Sequence, residues 1–339
     1  MYHPITMKNL SFGLLLAIIL LSACRHQPEL PEPVPTFTHC VDEPLPWVIA
    51  PDDTCSATPF PRPGQLGYNV AYERYTYVKM LPNPSDPNEV AFYREDQTDL
   101  PVRTDLGIMN LCTGESRILA SRIHSHFDWS PDGWIAFVYY SGALFKIKAN
   151  GDSLTQIAIG GINYWPTFNQ KTGDLLFRRG DESPWPNWIV IKKDGTWIEL
   201  DSTISYQNPV WSPDGKEVAA FGNLGVNIVD MATGAVRLLY ENESNPTGIS
   251  WTPDGIYLFI SGRSGLTRVN TLTGARESIS ENCENRVYYS PHLSSDGKKL
   301  FAVIQIWEYT APPAVMHIKQ FCVVMEPDGT NEQQIVVPE

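Results

Sequence analysis

At 339 residues the chain can form one large domain or two ordinary ones, and either would bury a sizeable core. A formal charge of −13, with no Lys/Arg run longer than two residues, excludes a nucleic-acid partner, because nothing here would neutralise a row of phosphates. The 38 aromatics and the abundance of turn formers (24 Gly, 28 Pro) suit many short strands joined by tight turns, not long helices.

The chain opens on an apolar run, LSFGLLLAIILL (10–21), preceded by Lys8. It is short for a membrane span but right for the core of an export signal. The Leu-Ser-Ala-Cys that follows (21–24) resembles the lipobox of bacterial lipoproteins. That resemblance implies a signal peptide over 1–23, cleavage before Cys24 and lipidation of its thiol and new amino group. The alternative is an ordinary secretory peptide that ends near a cysteine. Residues 24–35 follow as a tether: RHQPELPEPVP has four prolines in eleven residues and no apolar period, hence an extended spacer. At about 3 Å per residue it would hold a domain roughly 30 Å from the membrane. In Gram-negative lipoproteins an Asp after the lipidated cysteine signals inner-membrane retention. Arg25 stands there, which implies an outer-membrane anchor facing the periplasm. Farther on, Cys40 and Cys55 bracket a Pro-rich segment with little core of its own, so a disulfide between them is expected to close that loop.

From residue 80 onward the chain repeats itself. FDWSPDGWIAF (127–137), PTFNQKTGDLLF (166–177), PVWSPDGKEVAAF (209–221), ISWTPDGIYLF (249–259) and PHLSSDGKKLF (291–301) align on the turn glycines Gly133, Gly173, Gly215, Gly255 and Gly297. Those are spaced 40, 42, 40 and 42 residues apart, and MLPNPSDPNEVAF (80–92) is a degraded sixth copy. Between them runs a second series of turns: CTGESRIL, ANGDSLTQI, KDGTWIEL, ATGAVRLL, LTGARESI and PDGTNEQQI. In each unit an aromatic (Trp129, Phe168, Trp211, Trp251) ends the first strand and is expected to pack between neighbouring sheets. Ser-Pro-Asp-Gly then reverses the chain, because Pro presets the first turn residue, Asp bonds back to the backbone and Gly accepts a left-handed conformation. A short apolar run forms the second strand, and a third and fourth flank the Thr-Gly turn. Four strands per unit and six units predict an all-β chain, a six-bladed β-propeller of four-stranded antiparallel blades over 68–339, with 36–67 an N-terminal extension packing on it.

The P-x-W-S-P-D-G-x-x-I-A-F pattern resembles the TolB-type, WD-repeat-like propeller motif, also seen in tricorn-like and dipeptidyl-peptidase-like propellers. The resemblance covers about 68–338 and implies the fold. TolB itself carries an α/β domain before its propeller, whereas only 36–67 intervene here, and TolB is soluble whereas this chain has a lipobox. A role in the Tol system is therefore not carried over. Two closures of the ring stay open: QQIVVP completes the sixth blade, or a strand near 66–72 is exchanged across the seam.

Propeller topology puts the short, alike SPDG and TG turns on one face, a scaffold. The links between blades and the loops between second and third strands lie on the other, where binding usually resides. Residues entering the first strands there are aromatic and imidazole-rich: His124 and His126, Tyr164 and Trp165, Tyr206 and Asn208, Tyr288 and Tyr289. Two enlarged loops, RRGDESPWPNW (178–188) and IWEYTAPPAV (306–315), add Trp185, Trp188 and Trp307. These are the candidate binding residues, against the alternative that they plug the channel or fold back on their own blades. Exposed Tyr and Trp offer contact area at little entropy cost.

Signals for chemistry are sparse. His126 and His292 are the histidines placed near the channel, short of the three or four ligands a catalytic metal needs, so no metal and no cofactor is expected. Gly-Asp-Ser-Leu (151–154) resembles the nucleophile block of a hydrolase family, but no Asp-x-x-His follows and the tetrad falls on a repeat turn. No G-x-S-x-G, Walker loop or H-E-x-x-H is present. Cys112 and Cys322 are read as buried thiols on third strands. The functional expectation is a lipid-anchored envelope scaffold that is not an enzyme. It would bind an envelope protein or peptide-like ligand and reach the membrane through its lipid. The alternative is a propeller enzyme, a metal-assisted lyase or hydrolase, acting on a polysaccharide at the channel mouth.

Overall fold

A computed structural model describes residues 38–51, 69–158, 161–180, 187–200, 206–222, 224–241, 246–262, 264–283, 285–310 and 315–338. The lipobox with Cys24, the tether, Cys55 and Trp185 lie outside the described residues. Among the described residues no helix is long and apolar enough to cross a membrane.

The repeats fold as a six-bladed β-propeller of four-stranded antiparallel blades. Blade 1 consists of Tyr75–Pro82, Glu89–Asp96, Arg103–Asn110 and Ser116–Ser121, and blade 2 of Ile123–Trp129, Trp134–Tyr139, Leu144–Lys148 and Thr155–Ala158. Blade 3 is Ile162–Phe168, Leu175–Gly180, Asn187–Ile191 and Trp197–Glu199; blade 4 is Gln207–Trp211, Glu217–Gly222, Gly225–Asp230 and Val236–Glu241. Blade 5 is Gly248–Trp251, Tyr257–Gly262, Gly265–Asn270 and Arg276–Glu281; blade 6 is Arg286–Leu293, Leu300–Thr310, Val315–Met325 and Gln333–Ile335.

No blade has a core of its own; the apolar side chains bury against the next blade. Trp129 packs among Ala91, Tyr93, Leu106 and Ile108 of blade 1. Phe168 packs among Ala136, Val138 and Leu144 of blade 2, Trp211 on Leu176 and Val190 of blade 3, and Trp251 on Ala219, Val226 and Ile228 of blade 4. The second strands, such as Val218–Ala220 and Leu258–Ile260, are buried on both faces, which is why they read as continuous apolar runs and not as alternations. Each SPDG turn carries its own hydrogen bonds. Ser212 Oγ donates to Asp214 Oδ1 (2.7 Å) and accepts from Glu217 N (2.9 Å), while Gly215 N donates to Ser212 O (2.9 Å). Gly-Asp-Ser-Leu is likewise a turn, with Gly151 N donating to Lys148 O.

The ring closes through both ends of the chain. Gln333–Ile335 completes blade 6, Val48–Ile49 adds antiparallel outside it, and Asn69–Tyr72 runs parallel to the start of Val315–Met325. The two closures left open by sequence thus occur together, because the third strand of blade 6 is 11 residues long and Gln333–Ile335 covers only its second half. Residues 38–51 then seal the seam between blades 6 and 1. Val41 is buried in the cluster shared by the two blades, His39 Nε2 bonds Asp296 Oδ2 of blade 6 (2.9 Å), and Trp47 Nε1 donates to Leu111 O of blade 1 (2.9 Å).

The cysteine pairing corrects the expectation. Cys40 is bonded to Cys112, 72 residues away, and not to Cys55. Cys112 is not a buried thiol on a third strand; it sits one step beyond, in the exposed turn after Arg103–Asn110, where the short helix Cys40–Asp42 lies across the seam. Cys322 is a buried free thiol on the third strand of blade 6, and Cys283 is also disulfide-bonded.

Candidate functional site at the channel mouth

The first strand of each blade lines the central channel, and in most blades it is bulged. Pairing slips between Tyr77 and Lys79, Ile123 and Phe127, Tyr164 and Thr167, Gln207 and Val210, and Tyr289 and His292. Aligned on the strand-ending aromatic, Lys79, His126, Trp165, Asn208, Gly248 and Ser290 hold the same position, although blade 5 pairs without a slip and the skipped residue in blade 1 is Val78. Trp165, Asn208 and Ser290 hold φ of 48°, 50° and 46°, each directly before a proline. Left-handed backbone at a bulky residue is strained, and such strain concentrates where a side chain must be aimed. Two residues on, a second ring follows: Leu81, Asp128, Thr167, Val210, Ser250 and His292. Some of its members tie adjacent blades together, with Phe168 N donating to Asp128 Oδ2 (2.6 Å) and Leu293 N to Ser250 Oγ (3.3 Å).

Blades 2 and 3 bring four of the candidate residues into one aromatic ledge. His126 lies 5.1 Å from the Trp165 ring and 6.3 Å from Tyr164, and Tyr164 and Trp165 are 5.5 Å apart. His124 extends it, 6.2 Å from His126 and 5.0 Å from Tyr140. Arg178, paired across the strands with Tyr164, places its guanidinium 5.3 Å from the centre of the Trp165 ring.

The other candidates are placed differently. Trp188 is fully buried, packed on Tyr206 and donating Nε1 to Tyr206 O (3.1 Å), so it is core and not contact surface. Tyr288 is likewise buried and donates its hydroxyl to Glu332 Oε2 (2.6 Å). Both corrections have one cause: they alternate inward on their strands, between blades. Tyr289 is half-buried against the cluster of blades 6 and 1, Trp307 is half-buried on blade 6, and Asn208 stands alone at its bulge on blade 4.

Below the ledge the channel holds a polar cluster that the repeat alignment did not single out. Lys79 Nζ donates to Phe127 O (2.7 Å) and lies over the Phe127 ring. Its charge is felt by Asp128, His126 and His292. These groups keep some contact with channel solvent, yet protein surrounds them and burial dominates. It lowers Lys79 to about 8 and His126 to about 3, brings His292 well below an ordinary imidazole, and raises Asp128. The signal for Lys79 was present, one residue before the degraded first copy and at the position aligned with His126. Arg178 opens one of the two enlarged loops, and only its strand pairing with Tyr164 brings it to the ledge.

Among the described residues no three His, Cys, Asp or Glu side chains converge as a metal site. His126, Asp128 and His292 share the channel with an ammonium group, which opposes a divalent cation there. A cleft of about 330 Å³ lies on the opposite face, between the SPDG turns of blades 4 and 5. Its carboxylates Asp214 and Asp254 accept hydrogen bonds from their own turns and Glu217 pairs with Arg237, so it reads as scaffold.

This arrangement defines a class by architecture: a six-bladed β-propeller whose irregular loops frame one mouth of the channel. Among solved structures the chain is similar to TolB from Acinetobacter baumannii, at 18% identity and TM-score 0.54 over 77% of this chain and 63% of that one. It is similar to the TolB candidate of Agrobacterium tumefaciens, at 18% identity and TM-score 0.56, covering 68% and 88%. An oligogalacturonate lyase in complex with manganese also matches, at 13% identity and TM-score 0.51, covering 77% and 78%. The chain thus spans less than two thirds of the Acinetobacter protein, and these identities establish a shared fold. No family model and no curated protein matches the sequence.

Proposed function

We propose that this protein is a lipid-anchored scaffold of the cell envelope, not an enzyme, and that it binds a protein or peptide-like ligand at the channel mouth. The anchor is Cys24, held in the outer membrane facing the periplasm, on the strength of the lipobox and Arg25. The observation that carries the binding reading is the ledge of His124, Tyr140, His126, Tyr164 and Trp165 on neighbouring blades. Half-exposed rings on a rigid sheet edge give adhesive area without an ordering cost.

Affinity purification from detergent-solubilised envelope, run in parallel on wild type and Trp165→Ala, tests it. A partner recovered by wild type should fall by about tenfold or more with the variant, as for an aromatic anchor. Equal recovery would place binding elsewhere. Radiolabelled palmitate should enter wild type but not Cys24→Ser.

A second reading, a metal-assisted enzyme on an acidic polysaccharide, is favoured by the likeness to the oligogalacturonate lyase. The ammonium of Lys79 within the channel set speaks against it. A stoichiometric bound metal, or cleavage of polygalacturonate by the purified protein, would establish it instead.

A further inference from the structure

Among the described residues Arg178 is a cation without an anion. Its Nε is shut off from solvent with no hydrogen-bond partner, and among the described residues no carboxylate pairs with it. Its flat face is covered by Trp165. His126 Nδ1, beside the same indole, is also buried and unbonded. Deeper in the channel, Lys79 spends its bond on a backbone carbonyl and not on a carboxylate. In a chain of net charge −13, whose buried arginines Arg94 and Arg286 sit against acids, Arg178 is a half-buried cation with donors to spare, while the Lys79 charge is met by Asp128.

Desolvated donors without partners carry a free-energy cost, which a ligand anion would relieve. We propose that the mouth between blades 2 and 3 recognises a carboxylate on a protein segment, held by the Arg178 guanidinium while apolar residues beside it rest on Trp165 and Tyr164. This rests on the binding reading above and specifies its ligand.

A protein segment fits better than an acidic saccharide. A polyuronate carries a carboxylate on every ring, yet the ledge offers one unpaired guanidinium among aromatic and neutral imidazole rings. A chain of net charge −13 also repels a polyanion as a whole. One acid among apolar side chains matches one arginine among rings.

The test is selection of random dodecapeptides displayed on phage against the purified protein, with Arg178→Gln and Trp165→Ala as parallel targets. Wild type should enrich peptides with a single Asp or Glu flanked by apolar residues. A synthetic copy should lose about tenfold or more in affinity when its acid becomes the amide, and as much on Arg178→Gln, the loss expected for a charge-assisted hydrogen bond. Arg178→Lys should recover only part, because an ammonium lacks the planar fork. Should Arg178→Gln fail to fold, the acid-to-amide change in the peptide makes the same comparison on wild type. Selected peptides that lack an acid but still need Trp165 would overturn the carboxylate and leave the ledge standing. Peptides indifferent to both variants, or none enriched, would overturn both. Binding of trigalacturonate that Arg178→Gln abolishes, with no acidic peptide selected, would replace the protein segment by a saccharide.

Discussion

His126 shows how the channel tunes single groups. Burial and the neighbouring Lys79 charge keep the folded imidazole neutral down to about pH 3, whereas the unfolded chain protonates it near 6.5. Between those limits the unfolded state holds more protons, so stability falls as pH is lowered through the window. His292 acts with the same sign, and Asp128, raised by burial, acts against both in the acid range. Lys79 extends the trend upward: folded it loses its proton near 8, unfolded near 10.5, so stability rises with pH between them. His126→Gln should therefore flatten the urea-stability profile below pH 6.5, recovering about 1–2 kcal/mol at pH 5 relative to wild type. A variant with an unchanged slope would show that His126 is free to protonate in the fold. The imidazole that titrates so poorly also has a buried Nδ1 without a partner among the described residues.

The turns repeat chemically but not in their surroundings. Gly133 and Gly114 both adopt left-handed backbone, at φ of 79° and 74°. A methyl group at Gly133 would meet nothing, whereas at Gly114 it would fall 2.6 Å from the Trp47 indole. Gly133→Ala should then cost about 1–2 kcal/mol for the backbone alone. Gly114→Ala should cost about 1–3 kcal/mol more, because the indole that donates to Leu111 O must move. Thermal melts of the two variants, compared directly, check this; equal losses would mean that Trp47 does not hold the turn. The same contrast governs the first strands. Their sequences look alike, but the bulges place Trp165 at the mouth in strained backbone while Tyr288 alternates back into the core. The ledge thus depends on how one strand is kinked as much as on which residues it carries.

A ring of blades is only as firm as its seam. Each interface between blades is an apolar wedge, and the one between blades 6 and 1 is crossed where Asn69–Tyr72 on blade 6 runs on into Tyr75–Pro82 of blade 1, and is clasped by residues 38–51 and their disulfide. Cys40–Cys112 cross-links segments 72 residues apart, a long loop in the unfolded chain. Cys112→Ser should lower stability by about 2–4 kcal/mol. Hydrogen exchange should accelerate first in blades 1 and 6, with blades 3 and 4 little changed. Uniform acceleration would show that the ring opens as one unit and that the seam is not special. Holding the ring shut also holds Lys79 of blade 1 beside His292 of blade 6, so the channel floor depends on the clasp.

Blade number, strand order and turn chemistry were legible in the chain because they are local. Pro, Asp and Gly shape a turn within a few residues, and an aromatic recurring about every forty residues states how many wedges must be filled. His124, His126, Tyr164 and Trp165 were visible for the same reason, as residues entering the repeated first strands. Other features needed the folded ring. Trp188 and Trp165 are equal as letters, but side chains alternate along a strand and a bulge changes the parity, so only the pairing register tells core from surface. Cys40 found Cys112 and not nearby Cys55 because residues 38–51 cross the seam, a contact set by the meeting of the chain's two ends. Lys79 and Asp128 come from different blades and meet only where the first strands converge on one axis, while Arg178 reaches Trp165 only through the pairing of the first two strands of blade 3.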